Sequence, residues 1–117
     1  MTRALNRRTL VVGSLAAISF AQAASTRVWR VALVTSSPGV AILNIIRTSL
    51  KSAGYEEGKN LVIDFREAKG RYSALPTLLD ELMASQPDLI IAEATPAVAA
   101  ARKATTTIPI IMAPATD

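Results

Sequence analysis

The side chains equipped for chemistry gather in three short stretches: Ser36-Ser37, Glu93-Ala94-Thr95-Pro96 and Thr116-Asp117. Hydroxyls and carboxylates of this kind can orient a small solute by hydrogen bonds and one or two charges. They do not by themselves make a nucleophile. The chain contains no cysteine and no histidine, which excludes thiol chemistry, disulfides, imidazole bases and the commonest transition-metal ligand. A serine nucleophile would need a lysine or carboxylate base, and neither Lys51 nor Asp64 falls near these stretches in the element assignment below. Neither G-x-G-x-x-G nor G-x-x-x-x-G-K-[ST] occurs, so nucleotide binding is disfavoured. No cofactor or metal is implied. The residues describe a holder rather than a transformer.

Each candidate also has a plainer reading. Ser36, Ser37 and Thr95 can serve only as helix caps. Asp117 is either a loop residue or the partner of a ligand's ammonium group. Glu93 is read as facing water, with a ligand contact as the alternative. Asp64 and Glu67 form an acidic pair to one side, read as a solvated face rather than a catalytic dyad. Arg71 and Tyr72 flank the cleft mouth and can cover a ligand, although Tyr72 suits packing equally well. Trp29 is read as structural.

The elements that must position these residues alternate in type. Val28–Thr35 is apolar and β-branched, a buried strand. Ile42, Ile45, Ile46, Ser49, Leu50 and Ala53 recur at helical spacing, and Gly54 stops that helix. Leu61–Glu67 alternates apolar with wetter positions, as an edge strand does. Leu75, Leu78, Leu79 and Leu82 mark a second helix with Pro76 in its first turn. Residues 88–92 make a central strand. Thr95-Pro96 then reads as a hydroxyl cap with proline at the first helical position, opening the alanine-rich helix that runs to Ala104. Residues 108–113 form the fourth strand.

This β-α-β-α-β-α-β pattern predicts an α/β fold in three layers, a Rossmann- or flavodoxin-like half lobe with strand order 2-1-3-4. Ligands of such sheets bind beyond the carboxyl ends of the strands where the order reverses, here between strands 1 and 3. Two helix N-termini point their free N–H groups into that crevice, which suits a carboxylate or other small anion. The fourth strand is left as an apolar edge, so the chain is read as a fragment.

The first residues read as an export signal. A basic head with Arg3, Arg7 and Arg8 precedes the apolar run Leu10–Ala21 and an A-x-A site ending at Ala23. The run is shorter than the roughly 20 residues that span a bilayer. Arg7-Arg8 is compatible with the general or the twin-arginine route. Residues 1–23 are therefore expected to be a signal peptide, which places the product in the periplasm. The formal charge of +4 comes from 13 basic and 9 acidic residues. Much of the excess lies in the leader, and the remaining basic residues are scattered singly, so no nucleic-acid partner is indicated. The 117 residues hold at most one domain.

Gly54-Tyr55-Glu56-Glu57-Gly58-Lys59-Asn60-Leu61, then Gly70-Arg71-Tyr72 with Leu75-Pro76, Thr95-Pro96-Ala97 and Thr107-Ile108-Pro109-Ile110 together carry a resemblance. Residues 27–117 resemble the N-terminal part of bacterial ABC-transporter substrate-binding proteins with the type I periplasmic-binding fold. The resemblance implies capture of a small solute, an amino acid in some relatives, and delivery to a permease in the inner membrane without catalysis. It also implies that Ser36, Ser37, Thr95, Thr116 and Asp117 hold the solute from the first lobe. Family members are longer and close a second lobe over the ligand, so the remainder of the binding protein is an expected partner. Two other readings stay open. One is a small exported α/β hydrolase-like enzyme using Ser36 or Ser37, and the other is a standalone interaction module that pairs through its fourth strand.

Overall fold

A computed structural model describes residues 27–114. The signal peptide expected over residues 1–23, and the candidates Thr116 and Asp117, lie outside the described residues. The elements run in the anticipated order: β1 Trp29–Thr35, α1 Val40–Ser52, β2 Leu61–Glu67, a 3-10 turn at Tyr72–Ala74, α2 Leu75–Ala84, β3 Leu89–Glu93, α3 Ala94–Ala104 and β4 Ile110–Ala113. All strands are parallel, in the order β2-β1-β3-β4. The α/β class and the 2-1-3-4 order are as the sequence predicts.

β1 is central, and its side chains alternate between two cores. Ala32 and Val34 join Ile90 and Ala92 beneath α2 and α3, where Leu75, Leu79, Leu82, Ala97, Val98 and Ala101 complete a buried layer. Val31 and Leu33 face the other way with Leu61 and Ile91, and Ile42 of α1 covers them. Helices on both faces follow from right-handed crossovers that leave β1 in opposite directions. Leu33, Leu79, Leu82 and Ile90 are fully buried, and each such side chain stabilises the fold by about 1.5–3 kcal/mol relative to exposure.

α1 ends as its sequence requires. Gly54 adopts φ +97°, the Gly54 N–H donates to the Lys51 carbonyl and the Tyr55 N–H to the Leu50 carbonyl. This double closure satisfies the last helical carbonyls. At the opposite end of the sheet from the candidate residues, the Arg27 guanidinium lies 3.7 Å from the Trp29 ring centroid. Arg27 and the Arg30 N–H both reach the Asp88 carboxylate. Trp29 is thus half-buried and structural, as read.

β1 starts one residue later than read, at Trp29, and three further boundaries differ from the sequence reading. β3 is shifted by one residue because Asp88 serves as the acceptor for Arg30 while Glu93 is drawn into the sheet. β4 begins at Ile110 rather than Ile108, because Thr105 Oγ1 accepts the N–H groups of Thr107 and Ile108 and holds them in a turn. α3 begins at Ala94, with Glu93 in extended conformation before it. Thr95 is therefore inside the helix and is not its cap. β4 forms the sheet edge, with Ile111 and Met112 exposed.

Candidate functional site

Parallel register brings the last residues of the strands level. Thr35 of β1 pairs with Glu67 of β2 on one side and with Glu93 of β3 on the other, and Glu93 pairs with Ala113 of β4. Side chains in register point to the same face of a sheet. Glu67, Thr35 and Glu93 therefore form a row on the α1 side, directly under the turn Ser36-Ser37-Pro38-Gly39 that leads into α1. This is the carboxyl-end crest at the point where strand order reverses.

The two carboxylates hold that turn from either side. Glu93 is 1% exposed. Its Oε2 accepts the Ser36 N–H at 2.9 Å and the Ser37 N–H at a longer 3.4 Å, and its Oε1 accepts the Ser37 hydroxyl at 2.9 Å. On the other flank Glu67 Oε2 accepts the Gly39 N–H at 3.0 Å. That bond to the Gly39 N–H, aided by Lys69 Nζ at 3.3 Å, holds the Glu67 carboxyl below its ordinary range against the opposing effect of burial. Acidic groups at this helix end also offset the positive end of the α1 dipole. Between them Thr35, itself buried, donates its hydroxyl to the Ser37 carbonyl at 2.8 Å.

The two serines differ in role. Ser36 is 1% exposed. Its hydroxyl donates to the Glu93 carbonyl at 3.0 Å and accepts the Ala97 N–H at 3.0 Å, so it ties the β1 turn to the first turn of α3. Ser36 caps a helix, but α3 rather than the helix that follows it in sequence. Ser37 is half-buried, and only its bond to Glu93 occupies the hydroxyl hydrogen. Thr95 is exposed beside this junction.

Two sequence expectations are corrected here. Glu93 does not face water; it is the buried anchor of the β1–α1 turn. The N–H groups at the two helix starts are also only partly open to a ligand anion, since Glu67 takes that of Gly39 and Ser36 takes that of Ala97. The signal lay in the acidic residues that close β2 and β3, but only the register shows that they flank Thr35.

Asp64 and Glu67 lie three residues apart and so on opposite faces of β2. Asp64 pairs with Arg66 at 2.6 Å, and Arg66 also reaches Glu81 at 3.1 Å. These carboxylates belong to two separate networks and do not form a dyad. The Ala68 N–H donates to the Thr35 carbonyl and the Gly70 N–H to the Ser36 carbonyl. These bonds lash the loop after β2 to the crest and place exposed Arg71 and Tyr72 at its side. Glu67, Lys69, Arg71, Ala74 and Leu78 line an open depression there of about 510 Å³. A smaller apolar cavity of about 230 Å³ lies at the far end of the sheet among Trp29, Leu50, Tyr55 and Leu61. Its one carboxylate, Asp88, is already engaged by Arg27 and Arg30, so the convergent polar groups belong to the crest. Among the described residues no cluster of side chains is arranged to hold a metal ion. No helix among them is long and apolar enough to cross a membrane.

Known proteins are similar to this chain in sequence and fold. A tyrosine-binding protein of Clostridioides difficile is 38% identical over 69 residues, which is 59% of this chain and 20% of the relative. The ligand-free, open structure of a substrate-binding protein with adhesive properties from Clostridium difficile aligns with TM-score 0.67 and 26% identity over 76% of this chain and 32% of that one. An ABC domain from Streptococcus pneumonia in complex with L-Trp aligns with TM-score 0.64 and 29% identity over 77% of this chain and 31% of that one. The chain thus spans between a fifth and a third of the length of these relatives. The family model for ABC transporter substrate binding protein matches residues 30–117, a stretch that takes in the crest and all the described strands and helices save Trp29 at the start of β1. The chain belongs to the ABC transporter substrate-binding protein family.

Proposed function

We propose that this chain supplies the first-lobe crest of an exported binding protein that captures an amino-acid solute, aromatic in side chain, and passes it unchanged to an inner-membrane ABC permease. One observation carries the reading. The turns after β1 and β3 are bonded into a single unit at the order reversal of the sheet, and that unit offers hydroxyls without a histidine or cysteine to drive a reaction. The relatives named for tyrosine binding and for an L-Trp complex support the choice of solute class. The reading assigns the solute contacts to Ser37 and Thr95, with Ser36 as their support, and to Thr116 and Asp117, which come after β4 in the sequence. Residues 1–23 direct export to the periplasm. The protein is a carrier, not an enzyme.

Thermal unfolding of the protein expressed from its complete reading frame, against single amino acids, tests the reading. Ligand at about 100 times Kd stabilises a folded state by about 2.7 kcal/mol. L-Tyrosine or L-tryptophan is expected to raise Tm saturably and to be recovered unaltered. No response to any amino acid, or chemical conversion of the solute, would overturn the proposal. A mature N-terminus at Ala24 in periplasmic extract tests the export step.

A further inference from the structure

The Glu93 carboxylate is buried under the β1–α1 turn, accepts three hydrogen bonds from Ser36 and Ser37, and is not itself a surface for a ligand. We propose that Glu93 is a positioning residue that fixes the polarity of Ser37, so that this crest presents Ser37 Oγ to the solute as a hydrogen-bond acceptor and selects the solute's N–H end. The inference rests on the solute-binding reading and deepens it. A carboxylate can only accept hydrogen bonds, so the hydroxyl hydrogen of Ser37 must point inward to Oε1 at 2.9 Å. The lone pairs of Ser37 Oγ are then left for the outward side, where the residue is half-buried. Ser36 cannot share the task, because its hydroxyl both donates and accepts inside the fold. The backbone N–H groups of Ser36, Ser37 and Gly39 are likewise committed to the two carboxylates. With these donors turned inward, Ser37 Oγ is left as an acceptor for an ammonium or other N–H group.

Substitution of Glu93 by Gln separates this role from mere support. A glutamine oxygen keeps the acceptor for the Ser36 and Ser37 N–H groups. Its NH2 now donates to Ser37 Oγ and turns the serine hydrogen outward, so the acceptor becomes a donor. Affinities for L-tyrosine, tyramine and 3-(4-hydroxyphenyl)propionate, and for the matching indole series, are measured by calorimetry on the wild-type protein, E93Q, S37A and the double variant. The preference for amine-bearing over desamino compounds is expected to fall about tenfold in E93Q, the worth of roughly one hydrogen bond. It should fall similarly in S37A and no further in the double variant. Parallel loss for all compounds, or an unchanged preference in either single variant, overturns the inference.

Amide hydrogen exchange in the ligand-free protein gives a second readout that needs no solute. The Ser36 and Ser37 amides should stay protected in E93Q and lose at least tenfold protection in E93A. Equal protection in wild type and E93A also overturns the inference. If no compound of either series binds, the proposed solute class fails, while the exchange experiment still decides whether Glu93 holds the turn.

Discussion

Ser36→Ala is the sharpest single perturbation of the crest. The hydroxyl it removes is buried, donates to the Glu93 carbonyl and accepts from the Ala97 N–H, each at 3.0 Å. Ala97 is fully buried, so water cannot replace the lost acceptor. Two bonds at a net of about 1 kcal/mol each, with the added cost of an orphaned buried donor, give a loss of about 2–4 kcal/mol. With a urea m-value of about 1–3 kcal/mol/M, the unfolding midpoint should drop by about 1 M or more at unchanged m. Ser37→Ala is the matched control. It removes one bond to the Glu93 carboxylate and should cost about 1.5–3 kcal/mol while leaving the Ala97 amide protected. Urea unfolding of both variants, with hydrogen exchange at the Ala97 amide, checks the reasoning. An S36A variant within about 0.5 kcal/mol of wild type, or equal loss of Ala97 amide protection in S37A, would refute the tie between the two turns.

Three further outcomes follow from the same geometry. In Gly39→Ala the new Cβ would lie 2.5 Å from Thr35 Cγ2 and 2.6 Å from Thr35 Oγ1. Overpacking should cost about 1–3 kcal/mol, and Thr35→Ala should recover part of that loss in a double-mutant cycle. Ala94 has φ +69°, a left-handed conformation costing an L-residue about 1–2 kcal/mol. Less the extra chain entropy of glycine, Ala94→Gly should stabilise by about 0.5–1 kcal/mol in denaturant titration, and a destabilised variant would contradict the strain. The Glu67 carboxyl is held below its ordinary range mainly by the Gly39 N–H. Its stabilising contribution is complete above the unfolded value of about 4.3 and is lost as pH falls through the lower folded value. Stability measured from pH about 6 to 3 should therefore decline more steeply in wild type than in Glu67→Gln. Parallel curves would show that the bond carries no linkage.

The strand order and the location of the crest were legible because they rest on local signals. Apolar runs, helical periodicity, Gly54 and the wetter face of Leu61–Glu67 each report on their own segment, and topology then follows from handedness. The hydroxyl turns were legible too, since they sit where strands end. What escaped was every long-range bond at the crest. Glu67 acts on a residue 28 positions away, and Ser36 on one 61 positions away. No window along the chain contains both partners. The Thr95-Pro96 pair matched a local cap pattern, yet the left-handed Ala94 let α3 start earlier and left the capping to a residue from another strand. Glu93 was misjudged for a related reason. A glutamate ending a strand looks solvated unless the register reveals the helix start above it.

That long-range bracing has a consequence for how such a recognition surface can change. The groups that brace the β1–α1 bend come from beneath, on strand ends, while Ser37 and Thr95 are the more exposed hydroxyl residues of the crest. Outer residues can therefore be exchanged without unravelling either helix, because neither helix start relies on them. If the proposed solute binding holds, a lineage could retune its solute by altering the outer layer alone, with the brace of Glu67, Thr35, Ser36 and Glu93 left in place as a reusable mount.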